Sequence, residues 1–154
     1  MPQRAAYQTI AAEGMKTLGG VYMYVARSGL PKALVDLVYL RASLINGCAY
    51  CIDSHTHDLI QEGVPPEKVA LVAAWHEAGD WFDERERAAL AWTDTVTRVA
   101  DTHIPDAAYA AAADVFTDKE LADLTIAIGL INTYNRIAIG FRRTPESLLK
   151  RQAG

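Results

Sequence analysis

Helix punctuation recurs along the whole chain, and strand-like alternation bounded by hairpin turns does not occur. That pattern predicts an all-α fold. Two capping boxes, Asp83-x-x-Glu86 and Thr117-x-x-Glu120, each announce a helix start, because the first side chain can accept from the backbone N–H of the acid three residues on, whose carboxylate accepts in return from the first residue's N–H. Ser28-Gly29 before Pro31, Asn46-Gly47, and Gly63 before Pro65-Pro66 mark helix ends. The reading is a bundle of about seven helices. A first covers residues 7–26, weakened by Gly19-Gly20, and a second residues 31–45, with Leu34, Leu37, Val38 and Leu44 facing inward. A third opens near Cys48 and closes at Gly63, and a short fourth runs from Pro66 to about His76. A fifth follows Asp83, with Ala89, Trp92, Val96 and Val99 on one face. An alanine-rich sixth starts at Pro105-Asp106, and a long seventh begins after Thr117 and is expected to end at Gly140. Residues 144–154 read as a terminal turn and tail.

At 154 residues, half of them apolar, the chain falls in the size range of one domain, residues 1–154 with a core at about 15–144. A chain this long buries roughly 70% of its unfolded surface, so it needs no disulfide or metal to hold a core, and its two cysteines are free for chemistry. A formal charge of −4 without a basic run argues against nucleic acid. The most apolar stretch, residues 121–131, contains Asp123 and is too short for a bilayer, which takes about 20 residues. Residues 1–14 lack the apolar core of a secretory signal, so the expected location is the cytoplasm. In that reducing compartment a Cys-x-x-Cys pair is expected to be catalytic or metal-binding.

Cys48, Cys51, Ile52, His55 and Leu59 follow i, i+3, i+4, i+7, i+11 and share one stripe of the third helix. The sulfurs and imidazole are therefore expected to face a partly buried pocket. Residues three apart on a helix have α-carbons about 5 Å apart, within the reach of a disulfide, so the pair can cycle between dithiol and disulfide. Cys51 lies in the first turn, where the helix dipole and unpaired N–H groups favour thiolate. His55, one turn on, can take its proton, and Cys48 would resolve the intermediate. Two other readings fit the same residues. One is a pair of small buried cysteines beside a core histidine. The other is a zinc site, which would need a fourth ligand from Asp36, His57 or another subunit.

The segment Asp36-Leu-Val-Tyr-Leu-Arg-Ala-Ser-Leu-Ile-Asn-Gly-Cys48-Ala-Tyr-Cys51-Ile-Asp-Ser-His55-Thr-His57 resembles the core of the alkylhydroperoxidase AhpD-like family, within the carboxymuconolactone decarboxylase superfamily. The likeness runs from about Met15 to Thr144, through Glu84-Arg-Glu-Arg-Ala-Ala-Leu-Ala-Trp92 and Ile131-Asn-Thr-Tyr-Asn-Arg-Ile137. It implies trimers or hexamers of an all-helical subunit that reduces a hydroperoxide and is recycled by an external dithiol, either lipoyl or thioredoxin-like. It implies no cofactor and no metal. It assigns Cys51 as the peroxidatic thiol, Cys48 as the residue that protonates the departing oxygen and closes the disulfide, and His55 and Asp36 as a proton relay. Sulfenic acid followed by disulfide is the reversible arm of cysteine oxidation, so the assignment is chemically coherent. The relay acid, glutamate in the family pattern, is Asp36 here, and the residue between the cysteines, histidine in that pattern, is Tyr50. Both departures bear on proton transfer: aspartate is one methylene shorter, and a neutral tyrosine is no base near pH 7.

Alternatives to a peroxidase are a lyase acting on a lactone acid, and an oligomeric thiol protein that senses oxidation without turnover. Val21, Met23 and Tyr24 on the first helix suggest a subunit contact. His57, His76 and His103 lack partners at ligand spacing. Trp75, Trp81 and Trp92 read as core or interface aromatics, Asn132, Asn135 and Arg136 as the polar side of the seventh helix, and Arg142-Arg143 as a solvated helix end.

Overall fold

Among residues 2–153, which the computed structural model describes, ten α-helices and two 3₁₀ segments account for the regular structure, and no strand occurs. In chain order these are α1 (Tyr7–Ile10), α2 (Ala12–Ala26), α3 (Lys32–Asn46), α4 (Ala49–Gln61) and α5 (Pro66–Leu71). The 3₁₀ segments Val72–Glu77 and Gly79–Trp81 lead to α6 (Glu84–Thr97), α7 (Val99–Thr102), α8 (Asp106–Ala113), α9 (Asp118–Phe141) and α10 (Glu146–Ala153). The all-α expectation holds, and both capping boxes form with all their reciprocal hydrogen bonds.

The helix count exceeds seven at three places: the first expected helix divides into α1 and α2, the fifth into α6 and α7, and the C-terminal segment forms α10. The first expected helix breaks at Ala11, whose backbone leaves the helical region, while Gly19 and Gly20 stay inside α2. Nothing in the local sequence demands a break at Ala11. α9 passes through Gly140 and ends when Arg142 turns left-handed, φ +56°, its N–H returning to the Ala138 and Ile139 carbonyls. Residues 146–153 form α10 rather than a loose tail. The start of α10 is held from another helix, since Ser147 N–H donates to the Asp53 carboxylate of α4 at 3.0 Å.

α3 is the central element. Every residue from Leu34 to Ser43 is buried, so the expected single inward stripe is replaced by burial around the whole circumference, against α4, α6 and α9. One apolar core, including Val38, Trp92, Leu124 and Ile128, lies between α3, α6 and α9. A second, including Leu37, Leu40, Leu59, Val72 and Phe82, lies on the other side of α3, against α4, α5 and the 3₁₀ segments. This placement has a consequence for polar residues: any charge on α3 must find its partner inside the protein.

Candidate active site

The site is built at the turn from α3 to α4. Gly47, at φ +70°, ends α3 in the left-handed conformation that a side chain disfavours, and Cys48 N–H returns to the Ser43 carbonyl at 3.0 Å. Asn46 fixes the turn from behind, donating to Asn135 at 2.9 Å and Asn132 at 3.0 Å on α9, while Asn135 donates to Ser43 at 3.0 Å. Asn135 thus lies deep in the core, not on a polar face, and Asn132 joins it in positioning the cysteine turn.

Cys48 is the N-cap of α4, its sulfur accepting from Cys51 N–H at 3.3 Å. Cys51 is the third residue of the helix. The two sulfurs are joined as a disulfide across α-carbons 5.3 Å apart, as their spacing predicts, and both residues are buried.

Cys51 and His55 line the same cavity, of about 390 Å³. Tyr22 from α2, Tyr39 from α3 and Tyr134 from α9 form other parts of its wall. The expected pocket is therefore present. Behind His55 stands Asp36, buried on α3, its Oδ1 3.6 Å from His55 Nδ1; Asp58 Oδ2 lies 3.7 Å from the same nitrogen. Both gaps exceed hydrogen-bond length, and Nδ1 is buried without a partner. The other Asp36 oxygen accepts from Lys32 at 2.6 Å, and Lys32 also pairs with Glu62.

These neighbours set the protonation states. Burial pushes the His55 pKa down, but the Asp36 and Asp58 carboxylates beside the ring outweigh it and hold it above the ordinary 6.5. Burial would raise Asp36, yet His55 and the Lys32 ammonium more than compensate and hold it below the usual 3.8. Tyr39, whose ring centroid is 5.0 Å from that of His55, is pushed well up by burial, and its hydroxyl is likewise buried without a partner. Its proton stays on at neutral pH.

The remaining candidates divide. Tyr50 is pocket wall, and the Arg143 guanidinium stacks on its ring at 3.8 Å while donating to Tyr7 Oη at 3.3 Å. Arg143 is therefore part of the site rather than a solvated helix end. A smaller cavity of about 260 Å³, lined by Cys48, shares Tyr50, Ala138 and Arg143 with the larger one. His57 is exposed, His76 stacks on Trp75 and lies 3.4 Å from Asp94, and His103 closes α7. Trp75 and Trp92 are core, while Trp81 is exposed. Among the described residues, the group whose ligand atoms come within 4.8 Å of one another is Asp36, His55 and Asp58. It contains neither cysteine, and Lys32 already occupies one Asp36 oxygen, so it is a poor fit to the zinc set of two sulfurs and His55. Lys32 and Asp58 had a sequence signal, spaced i,i+4 and i,i+3 from Asp36 and His55. Tyr22 and Tyr134 arrive from distant helices and Arg143 from the segment after α9, and these had none.

Comparison with known proteins identifies the family. The profile of the carboxymuconolactone decarboxylase family matches residues 11–95. The uncharacterized protein YdfG of Bacillus subtilis is 34% identical over 139 residues, 90% of this chain and 94% of that protein. The alkyl hydroperoxide reductase AhpD of Mycobacterium tuberculosis is 42% identical over 52 residues, which are 32% of this chain and 29% of that enzyme. A crystal structure from Agrobacterium tumefaciens, solved as a protein of unknown function and candidate antioxidant defence protein AhpD, superposes with a TM-score of 0.90. It is 40% identical and covers 94% of this chain and 98% of that one. With the helical scaffold, the cysteine pair and the family profile in agreement, the chain belongs to the carboxymuconolactone decarboxylase family as an AhpD-like member.

Proposed function

We propose that the protein is a thiol-dependent hydroperoxide reductase in which Cys51 is the nucleophile. One observation carries this reading: a redox pair at a helix start presents Cys51 to a cavity shared with a histidine held above its ordinary pKa by a buried, lysine-paired carboxylate. In the reduced protein His55 takes the Cys51 proton, and the first turn of α4 stabilises the thiolate. The thiolate attacks the terminal peroxide oxygen, the O–O bond breaks, and the alkoxide takes a proton from Cys48 to leave as an alcohol. Cys48 then attacks the Cys51 sulfenic acid, closing the disulfide and releasing water. An external dithiol, lipoyl or thioredoxin-like, returns the pair to thiols. Asp36 acts through His55, as a positioning and charge-balancing residue.

The test follows peroxide loss by the reduced protein with excess dithiol, beside Cys48→Ser and Cys51→Ser. Repeated turnover that vanishes in Cys51→Ser is expected. Full rate in Cys51→Ser would overturn the reading, and one stoichiometric event without turnover would favour a sensor. A lyase acting on a lactone acid, the activity in the family's name, would retain its rate after replacement of both cysteines. The same reading places the protein in the cytoplasm as a trimer or hexamer. No helix among the described residues is long and apolar enough to cross a membrane. Met23 and Tyr24 on α2 are exposed apolar side chains suited to a subunit contact, and a monomer by light scattering would refute the assembly.

A further inference from the structure

The two cysteines of the disulfide line different cavities. The larger cavity touches Cys51 and not Cys48, whereas the smaller touches Cys48 and not Cys51. Tyr50, Ala138 and Arg143 line both cavities, and the Arg143 guanidinium packed on the Tyr50 ring makes them a shared partition. Around Cys48 the wall is largely apolar, with Ile139, Pro145 and Leu148, and Arg142 and Arg143 supply positive charge.

We infer that the Cys48 cavity is the entry site for the reducing thiol, so that oxidation and re-reduction use opposite sides of one disulfide. The inference rests on the proposed thiol redox cycle and adds its direction. Thiol–disulfide exchange proceeds by attack of a thiolate along the S–S axis, from the side away from the sulfur that leaves. A thiolate in the smaller cavity meets Cys48 and is faced there by two arginines, which favour an anion. It bonds to Cys48 Sγ, the Cys48–Cys51 bond breaks, and its electron pair leaves on Cys51 as thiolate. Cys51 is the better leaving group, because it shares its cavity with His55, whose imidazole can pair with the released thiolate or hand it a proton. A second thiol then displaces Cys48, which takes a proton. The reductant ends as a disulfide and the protein as two thiols, with Cys51 released into the chamber where peroxide arrives. The ligand class is a slender thiol on a narrow, apolar arm, since Cys48 itself is only 1% exposed.

Two measurements on the whole protein, oxidised beforehand with diamide, test this independently of any peroxidase activity. First, brief treatment with 2-mercaptoethanol, quenching with N-ethylmaleimide and peptide mass mapping should find the mercaptoethanol adduct on Cys48 and the maleimide on Cys51. The reverse distribution overturns the inference. Second, the exposed Ile139 and the helical Gly19 each line one cavity, and a Cβ at Gly19 meets no atom within 4 Å. Ile139→Trp should slow disulfide reduction by dithiothreitol, followed by thiol titration, about tenfold more than Gly19→Leu does. Gly19→Leu should in turn be the variant that more strongly slows oxidation of the reduced protein by cumene hydroperoxide. Equal slowing of reduction by both variants, or a larger effect from Gly19→Leu, overturns the inference. If the reduced wild type leaves peroxide unreacted, the proposed function fails while the reduction assays still decide the route of the thiol.

Discussion

Asp36 and Arg41 lie five residues apart on the same buried helix, both nearly inaccessible to water, and the protein treats them in opposite ways. Arg41 is fully paired. Its Nε and Nη2 grip the Asp94 carboxylate at 2.5 and 2.9 Å, and its Nη1 donates to the Val72 and Ala73 carbonyls at 3.3 and 2.9 Å. Trp75 Nε1 adds a 3.3 Å bond to Asp94, so this network ties α3, α6 and the 3₁₀ segment together with its polar groups answered. Around Asp36 the accounts stay open. His55 Nδ1 and Tyr39 Oη are buried without partners, and two carboxylates stop 3.6 and 3.7 Å from the imidazole. The difference teaches how to tell a structural charge from a chemical one on the same helix. A group whose every hydrogen bond is made has nothing left to exchange, whereas a proton-transfer site must keep donors and acceptors whose partners come and go.

The comparison can be broken at either end. The largest effect is expected at the closed network: Arg41→Met strands the Asp94 carboxylate and should cost about 3–5 kcal/mol of stability, read by urea denaturation. A loss under about 1 kcal/mol would mean that the network is not structural. Asp36→Asn should do the opposite, lowering the rate of Cys51 oxidation by peroxide about 10²-fold while costing less stability than Arg41→Met, because its Lys32 partner is solvent-exposed and is not left as a buried charge. A large stability loss with an unchanged rate would make Asp36 a second Arg41.

Protonation gives a smaller, signed effect. Because the folded-state pKa of His55 is raised, its contribution to stability is full below the unfolded value of 6.5 and is lost as pH rises through the folded value. Asp36 is depressed, so its contribution is present above the unfolded value of 3.8 and is lost as pH falls through the folded one. Denaturation midpoints should therefore fall as pH rises above 6.5 through the folded value, and Asp36→Asn should move the His55 titration, followed by NMR, to lower pH. A titration left in place would disprove the coupling. The smallest change is expected from Tyr39→Phe, which removes a hydroxyl with no partner and should alter stability by no more than about 0.5 kcal/mol. A cost above about 2 kcal/mol would reveal a hydrogen bond at that hydroxyl and close one of the open accounts.

Local rules made much of this legible. Capping boxes, the left-handed glycine at 47 and the i, i+3, i+7 spacing of Cys48, Cys51 and His55 act over one or two turns, and the structure realises each where the sequence puts it. The end of α9 and the helix at residues 146–153 were not legible. Arg142 takes up a left-handed turn that usually marks glycine, and α10 is capped by Asp53, whose identity as a cap depends on contact across 94 residues. The same limit hid the roles of Asn135 and Arg143, whose sequence neighbours read as a polar face and a solvated end.

By itself, then, the sequence determined the helices that carry the chemistry and the order of cysteine, cysteine and histidine along one of them, because hydrogen bonding and side-chain spacing within a helix are local. Only the tertiary structure decided that Asp36 is buried behind His55 and that Tyr50 and Arg143 line two cavities, one reached by each cysteine. Burial and cavity shape are properties of several helices packed together, and side chains distant in sequence become neighbours only when the packing closes.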